Sequence, residues 1–458
     1  MIKVNAVFDI GKTNKKFFLF DENYKEVFRE YTRLDETTDE DGYPTEDLGL
    51  LRKWIEDTFD AALKNTEFHI QTLNFSSYGA SFVHLDYKGQ PLTPLYNYTK
   101  DFDPEVAAEF YAKYGGEMKI ARDTASPQSG FLNSGMQLYW LKARKPEVFG
   151  KIKYSLHLPQ YLSYLFTGIP VSEYTSIGCH TNLWDYDKDD YHEWVHDEDI
   201  DKILPPIVPT SASINTTYKD HKLKIGVGIH DSSSALLPYI LSKKKPFLLL
   251  STGTWSIALN PYSTESLTEK DIEDNCLNYL RIDGKRVKAS RFFMGNEYRL
   301  QVENLCDHYG KEYGYHHNIL FDADIYLKLI EKPAVYFEFG GTSLQKQEGQ
   351  TDLSAFATFE EAYHQLMIEL MAQQISTITN AIGDSDIKTI YIDGGFTDND
   401  VFMKLMSHHF SSFKVLSTQS PLGSALGAAM VISDKKVTNK FLKENYAMKK
   451  LVPLFFDV

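Results

Sequence analysis

Cysteine is scarce in this sequence. The three present, Cys179, Cys276 and Cys306, are far apart and odd in number. They exclude a disulfide framework and fit a reducing compartment. Long apolar runs are missing too. None approaches the ~20 residues of a membrane helix, and no signal-peptide pattern precedes Asp9. Basic charge is in deficit, with 48 Lys and Arg against 63 Asp and Glu, a formal net charge of −15. That sets the chain against a nucleic-acid backbone or an anionic membrane as main partner. It does not exclude a phosphate ligand, because lysines and a metal reverse the sign locally. No low-complexity segment or long linker is present. A globular, soluble, cytoplasmic protein is expected. What is abundant is core material: 43% hydrophobic and 14% aromatic residues in 458, enough for two or three domains.

Near the start lies "AVFDIGKTNKKFFLF", residues 6–20. Gly11-Lys12-Thr13 looks like the end of a P-loop, but that motif needs a glycine at position 6, where this chain has Ala6, and a helix after the threonine. Instead Phe17 to Phe20 form an apolar run of strand length. The stretch reads strand, glycine turn, strand, with Asp9 just before the turn. Backbone N–H groups, Thr13, Asn14, Lys12 and Lys16 could still grip a phosphate; an ordinary hairpin with solvated lysines is the plainer reading. The pattern returns in "KPFLLLSTGTWSIALNP", where Thr252, Gly253 and Thr254 sit between two apolar strands. Two such turns, half a chain apart, suggest an internal duplication. Later, "KTIYIDGGFTDNDVFMKLMSHHF" reads strand, Gly394-Gly395, helix, and a glycine pair there lets a ligand approach the backbone. "SPLGSALGAAMVI" follows as a helix of small residues suited to close packing or ligand approach.

Two Gly-Thr turns followed by a late Gly-Gly turn resemble the sugar-kinase branch of the actin and hexokinase-like ATPases, and more narrowly the FGGY carbohydrate kinases. "FDIGKTNKK" and "LSTGTWS" resemble that family's two phosphate segments and "IDGGFTDN" its adenosine segment. "KPEVFGKIKYSLHLPQYLSYLFTGIPVSEYTS" resembles a mid-domain signature, and "VGIHDSSSAL" the segment that carries the catalytic aspartate. The likeness runs over nearly the whole chain. Within the family, "SSYGASFVHLD", "NYTKD", the His230-Asp231 pair and "GTWS" are most similar to the rhamnulokinase and fuculokinase group. The sequence departs from the pattern at Ser76 and Ser81, where that group carries aspartates, at Lys12, where the family usually has threonine, and at Lys100, where an acid is common.

The resemblance implies an α/β fold of two duplicated ribonuclease-H-like domains around a cleft, residues 1–240 binding sugar and 241–458 binding nucleotide. It implies ATP-dependent phosphorylation of a small sugar, a ketose such as L-rhamnulose or L-fuculose, with Mg²⁺ as cofactor. Asp231 is then the general base; on the residues alone, an aspartate before Ser232-Ser233-Ser234 reads as a helix N-cap. Asp9 suits Mg²⁺, through water. Gly11, Lys12, Thr13, Asn14, Lys16, Thr252, Gly253 and Thr254 would hold phosphates, and Gly394, Gly395, Asn399 and Gly423 the adenosine. Ser76, Ser77, Tyr78, Ser81, Tyr98, Asn133 and His230 match sugar-binding positions. His230 either binds a sugar hydroxyl or orients the base. Many family members are dimers, which makes a homodimer a state to test.

Other readings compete. The acceptor could be xylulose, ribulose or gluconate, or the chain could bind nucleotide without phosphorylating a sugar. "HEWVH", His192 to His196, fits H-E-x-x-H, which on a helix would offer two histidines to a zinc with Glu193 as base. The acid-crowded surroundings and the lack of a third ligand weigh against it. His316-His317 and His408-His409 are expected at the surface.

Overall fold

A computed structural model describes residues 1–243, 245–340, 352–419 and 422–454. Its two halves repeat one plan. In the first, the strands Ile2–Ile10, Lys15–Asp21 and Glu26–Thr32 form an antiparallel meander. Ile2–Ile10 also pairs in parallel with Phe68–Ser77, which pairs in parallel with His221–Gly226. In the second, Leu248–Thr252, Ser256–Asn260 and Arg286–Phe292 form the meander, and Leu248–Thr252 runs parallel to Thr389–Gly394, itself parallel to Lys414–Ser417. This is the duplicated actin/hexokinase-type α/β architecture expected from the two glycine turns.

The apolar runs are continuous because both faces of each sheet are covered. On Lys15–Asp21, Phe17 and Leu19 face the helices Leu48–Lys64 and Leu158–Thr167. Phe18 and Phe20 face the other way, into a core shared by both halves. Leu248 and Leu250 likewise face the helices Met294–Tyr309 and Phe359–Ile382, while Leu249 joins the shared core.

Two helices fill the space between the sheets: Asp231–Ser242, and Gly423–Val431 from the far end of the chain. They touch so closely that a Cβ on Gly427 would lie 1.9 Å from the Ser234 carbonyl oxygen. The small residues of this segment therefore serve close packing. Gly423–Val431 also lies against the first half's sheet, where the Asn74 amide donates to the Ala428 carbonyl at 2.7 Å.

Candidate active site

Strand geometry assembles the centre. Asp9 stands opposite Ser76, and Ile10 opposite Ser77, at the carboxyl ends of two parallel strands. The short strand Ile229–His230 extends this row on the other side, with Ile229 opposite Ser76 and His230 opposite Ser77. The chain then turns into Asp231–Ser242, so Asp231 stands in its first turn. Asp231 and Asp9 meet across this row of strand ends. Burial, the main cause, and the charge of Asp231 both push the Asp9 carboxyl up, against the Ser424 hydroxyl, which donates to it at 2.9 Å, and Lys16. The Asp231 side chain keeps 35% of its surface open. Desolvation by the surrounding walls raises its carboxyl to about 6, opposed by the Ser232 N–H and hydroxyl.

His230 is buried beneath Asp231. Its Nε2 lies 3.2 Å from Asp231 Oδ1 and 3.1 Å from Cys179 Sγ, and its Nδ1 has no hydrogen-bond partner. Burial lowers its pKa to about 4. A cavity of about 740 Å³ is lined by Tyr98, Lys100 and Gln128 from the first half and Trp255 and Phe293 from the second. Tyr98 feels the Asp231 charge, and its ring lies tilted against that of Tyr78, with centroids 5.8 Å apart.

The remaining sugar-site candidates turn inward. The Tyr78 hydroxyl donates to Glu46 at 2.9 Å, and Ser77 Oγ to the Tyr78 carbonyl at 2.9 Å. Asn133 Nδ2 donates to the His180 carbonyl at 2.8 Å, and its Oδ1 accepts from the Ser129 N–H at 2.7 Å. Ser76 and Ser81 are buried.

The Gly11–Asn14 turn is a tight hairpin closed by the Gly11 N–H to the Asn14 carbonyl at 3.0 Å. Thr13 is exposed at its tip. Lys16 pairs with Asp9 across the strands and faces the centre. Lys12 turns aside to Glu36 at 3.3 Å, and Asn14 Oδ1 accepts from Arg33 at 3.0 Å. Behind the turn, buried Lys15 holds the Lys12 carbonyl at 2.8 Å and Glu46 at 2.6 Å.

The second turn faces a cavity of about 560 Å³, lined by Gly253, Thr254, Gly395 and Asn399 with Asn296, Tyr298, Tyr313, His316 and Leu320. Thr252 lies behind it and ties two strands, its hydroxyl donating to the Asp393 carbonyl at 2.7 Å and accepting from the Phe396 N–H at 3.2 Å. Gly394 has φ +98°, and a Cβ there would lie 1.9 Å from the Thr252 carbonyl oxygen. Asn399 caps the helix Asp400–His409 through the Phe402 N–H at 3.0 Å and donates to the Tyr363 hydroxyl at 2.9 Å. Gly423 opens the helix whose Ser424 reaches Asp9.

Sequence reasoning missed Asn296, Tyr298 and His316. Asn296 and Tyr298 stand in the first turns of the helix Met294–Tyr309 and His316 in a short helical turn after it, and only the strand–glycine signal marks one wall of this pocket. His316 is 2% exposed, so the expectation of a surface histidine fails there. His192 is also fully buried and forms the N-cap of the five-residue helix Glu193–Asp197, accepting from the Trp194 N–H at 3.3 Å. It lies outside the helix that carries His196, and His196 pairs with Asp201 at 3.2 Å. No cluster of three metal-ligating side chains occurs among the described residues, and "HEWVH" does not set its two histidines on one helix.

A carboxylate in the first turn of a helix, beside a row of parallel strand ends that holds a second acid, and a second glycine turn that faces its own pocket fit a two-domain phosphotransferase, and sequence comparison gives its family. Residues 4–237 match the N-terminal domain of the FGGY family of carbohydrate kinases, and residues 244–440 match the FGGY C-terminal domain. The chain belongs to this family and is a carbohydrate kinase, for which ATP is the expected phosphoryl donor. Among curated proteins it is similar to the rhamnulokinase of Oceanobacillus iheyensis, 22% identical over 478 residues, covering 97% of each chain. Among solved structures it is similar to a carbohydrate kinase from Novosphingobium aromaticivorans, with TM-score 0.78, 22% identity and 99% and 97% of the two chains covered. A ligand-bound xylulose kinase from Lactobacillus acidophilus aligns with TM-score 0.74 and 16% identity over 99% and 94%.

Proposed function

We propose that the protein transfers the γ-phosphoryl group of ATP to a hydroxyl of a small ketose, with Asp231 as general base, residues 1–240 supplying the acceptor site and 241–458 the nucleotide site. The observation that carries this reading is the placement of a partly open Asp231 in the first turn of a helix, beside Asp9. There its carboxylate accepts the proton of the attacking hydroxyl while the new O–P bond forms and the bond to the β-phosphate oxygen breaks, releasing ADP. A base near 6 is ionised at neutral pH yet basic enough to share a proton in the transition state. Lys16 and the N–H groups of both glycine turns offset the charge on the phosphates.

The residues fit Mg²⁺. Asp9 is a carboxylate destabilised by burial and by a second acid, a condition a cation relieves. The lack of a fuller cage among the described residues suits an ion that takes one or two carboxylates, waters and substrate phosphates. Asp9 would hold the ion through water, and a cation held there would supply charge neutralisation for the nucleotide phosphates.

L-Rhamnulose and L-fuculose head the acceptors because curated rhamnulokinases are among the chain's relatives. Xylulose follows from a structural relative of 16% identity. The scattered cysteines are buried and free, and no helix among the described residues is long and apolar enough to cross a membrane; both features support the cytoplasm as the site of action. The test is coupled ADP release across a panel of ketoses, polyols and sugar acids, run with the wild type and Asp231→Asn. The expected result is turnover with one or a few ketoses, and a loss of roughly 10²- to 10⁴-fold in the variant with ATP binding kept. Near-normal turnover by Asp231→Asn would remove Asp231 from this role.

A further inference from the structure

Beneath Asp231 lies a chain of buried and half-buried hydrogen-bonding groups that phosphoryl transfer does not by itself require. His180 Nδ1 lies 3.2 Å from the Leu132 carbonyl oxygen. A carbonyl only accepts, so His180 carries its proton on Nδ1 and offers a bare Nε2. Cys179 Sγ lies 3.2 Å from that Nε2. With Nε2 as acceptor, the thiol is the donor, and its sulfur lone pairs face the other way. There they meet His230 Nε2 at 3.1 Å, a nitrogen that also lies 3.2 Å from Asp231 Oδ1. Both neighbours of His230 Nε2 are thus acceptors, so this nitrogen bears the proton. His230 Nδ1 is left bare, buried and without a partner.

We infer that Cys179 and His180 are positioning residues of the kinase reaction. They relay one fixed orientation from the Leu132 carbonyl to His230, whose Nε2–H rests on the Cys179 sulfur with Asp231 Oδ1 3.2 Å away. The site is packed for this. A Cβ on Gly79 would stand 3.0 Å from Cys179 Sγ and 3.2 Å from His230 Nε2, so little room remains for the ring to swing. The titratable groups around His230 are Asp231 beside it, Cys179 and His180 from the segment after Tyr174–Ile177, His157 from Tyr154–His157, and Tyr279 from Cys276–Leu280. Burial lowers His157 and His180 to about 3 and raises the Cys179 thiol well above its ordinary value. At neutral pH the relay is therefore neutral throughout, and Asp231 is the charge it steadies. Two neutral imidazoles and a thiol also hold their donor–acceptor order without a counter-ion, which a buried cation would need.

This inference rests on Asp231 being the base, and its test separates the two claims. Nitrogen-15 NMR of histidine-labelled wild-type protein at pH 7 reads the tautomer directly. The expected spectrum shows His230 protonated at Nε2 and His180 at Nδ1, assigned by His230→Gln and His180→Gln. Cys179→Ala should mix the His230 tautomers and lower kcat roughly 10- to 100-fold with the acceptor KM changed far less. Cys179→Ser, which keeps a donor and an acceptor, should restore most of kcat and the single tautomer. His230 protonated at Nδ1 in the wild type, or wild-type kcat in Cys179→Ala, would overturn the relay. Full turnover by Asp231→Asn would overturn the base assignment and leave the tautomer result standing.

Discussion

Gly427→Ala tests whether the contact between the two central helices sets the geometry of the site. The added Cβ would lie 1.9 Å from the Ser234 carbonyl oxygen and 2.6 Å from Ser234 Oγ, and real Cβ atoms stay beyond 3.0 Å. The helices must part by roughly 1 Å, since a backbone oxygen cannot rotate away as a side chain can. Alanine favours the helix by about 0.5–1 kcal/mol over glycine. Overpacking costs about 1–3 kcal/mol, so a net loss of about 1–2 kcal/mol is expected. The functional effect should be larger than the loss of stability suggests. One helix carries Asp231, and the other carries Ser424, which donates to Asp9. Ser234 Oγ also donates to the Ser424 carbonyl at 2.5 Å. Spreading the helices moves the two acids apart, and a displacement of this size costs on the order of 10²-fold in rate. Coupled ADP release gives kcat and both KM values, and thermal unfolding gives the stability change. Gly253→Ala is the control for unfolding, because its Cβ meets nothing nearer than 3.8 Å and should cost little stability. A Gly427→Ala protein with the melting temperature and kcat of the wild type would refute the reasoning, because the helices would then be free to separate.

Asp231→Asn should raise the melting temperature at pH 7. The folded carboxyl sits near 6, above its ordinary 3.8, so the native state disfavours ionisation and carries that penalty in full above pH 6. The advantage should shrink as pH falls through 6 and vanish below about 4; a variant less stable at pH 7 than at pH 4, relative to wild type, would contradict it. For the same reason kcat/KM of the wild type should fall on the acid side with an apparent pKa near 6, and a profile flat down to pH 4.5 would exclude Asp231 as the titrating base. Lys15→Met leaves buried Glu46 with the Tyr78 hydroxyl and a Lys12 ammonium 4.0 Å away and should cost about 3 kcal/mol, with a higher KM for ATP as the first turn loosens. Lys15→Met/Glu46→Leu should recover most of the stability but not the KM, and equal KM values in all three proteins would detach the pair from the turn. Thr252→Val removes a hydroxyl that bonds Asp393 and Phe396 and should raise the KM for ATP several-fold; an unchanged KM would show that the Gly394 turn needs no such tie.

The repeated strand–turn–strand pattern made the duplication legible because both sheets are buried on two faces and their strands read as unbroken apolar runs. Gly394 was legible for a related reason: its φ and the nearby Thr252 carbonyl tolerate no side chain. The less visible features join distant parts of the chain. Nothing local marks Lys15 as buried, because its partner Glu46 is 31 residues away. Cys179 and His180 read as scattered residues until the row of strand ends brings His230 against them. "HEWVH" misled because a motif fixes spacing and not where a helix begins. His192 precedes the first turn and uses its ring to cap it.

The chain's last long helical segment of small residues lies against the sheet built by its first strand, and the consequence concerns dissection. Severing the polypeptide near residue 240 would strip Val7, Phe18 and Phe20 of the cover that Ala425, Ala428 and Ala429 provide. The amino-terminal fragment would be sticky and the carboxyl-terminal one would lack a seat for its helix. Either piece should need the other present to stay dispersed, so complementation between co-expressed fragments, more than expression of each alone, is the way to take this molecule apart.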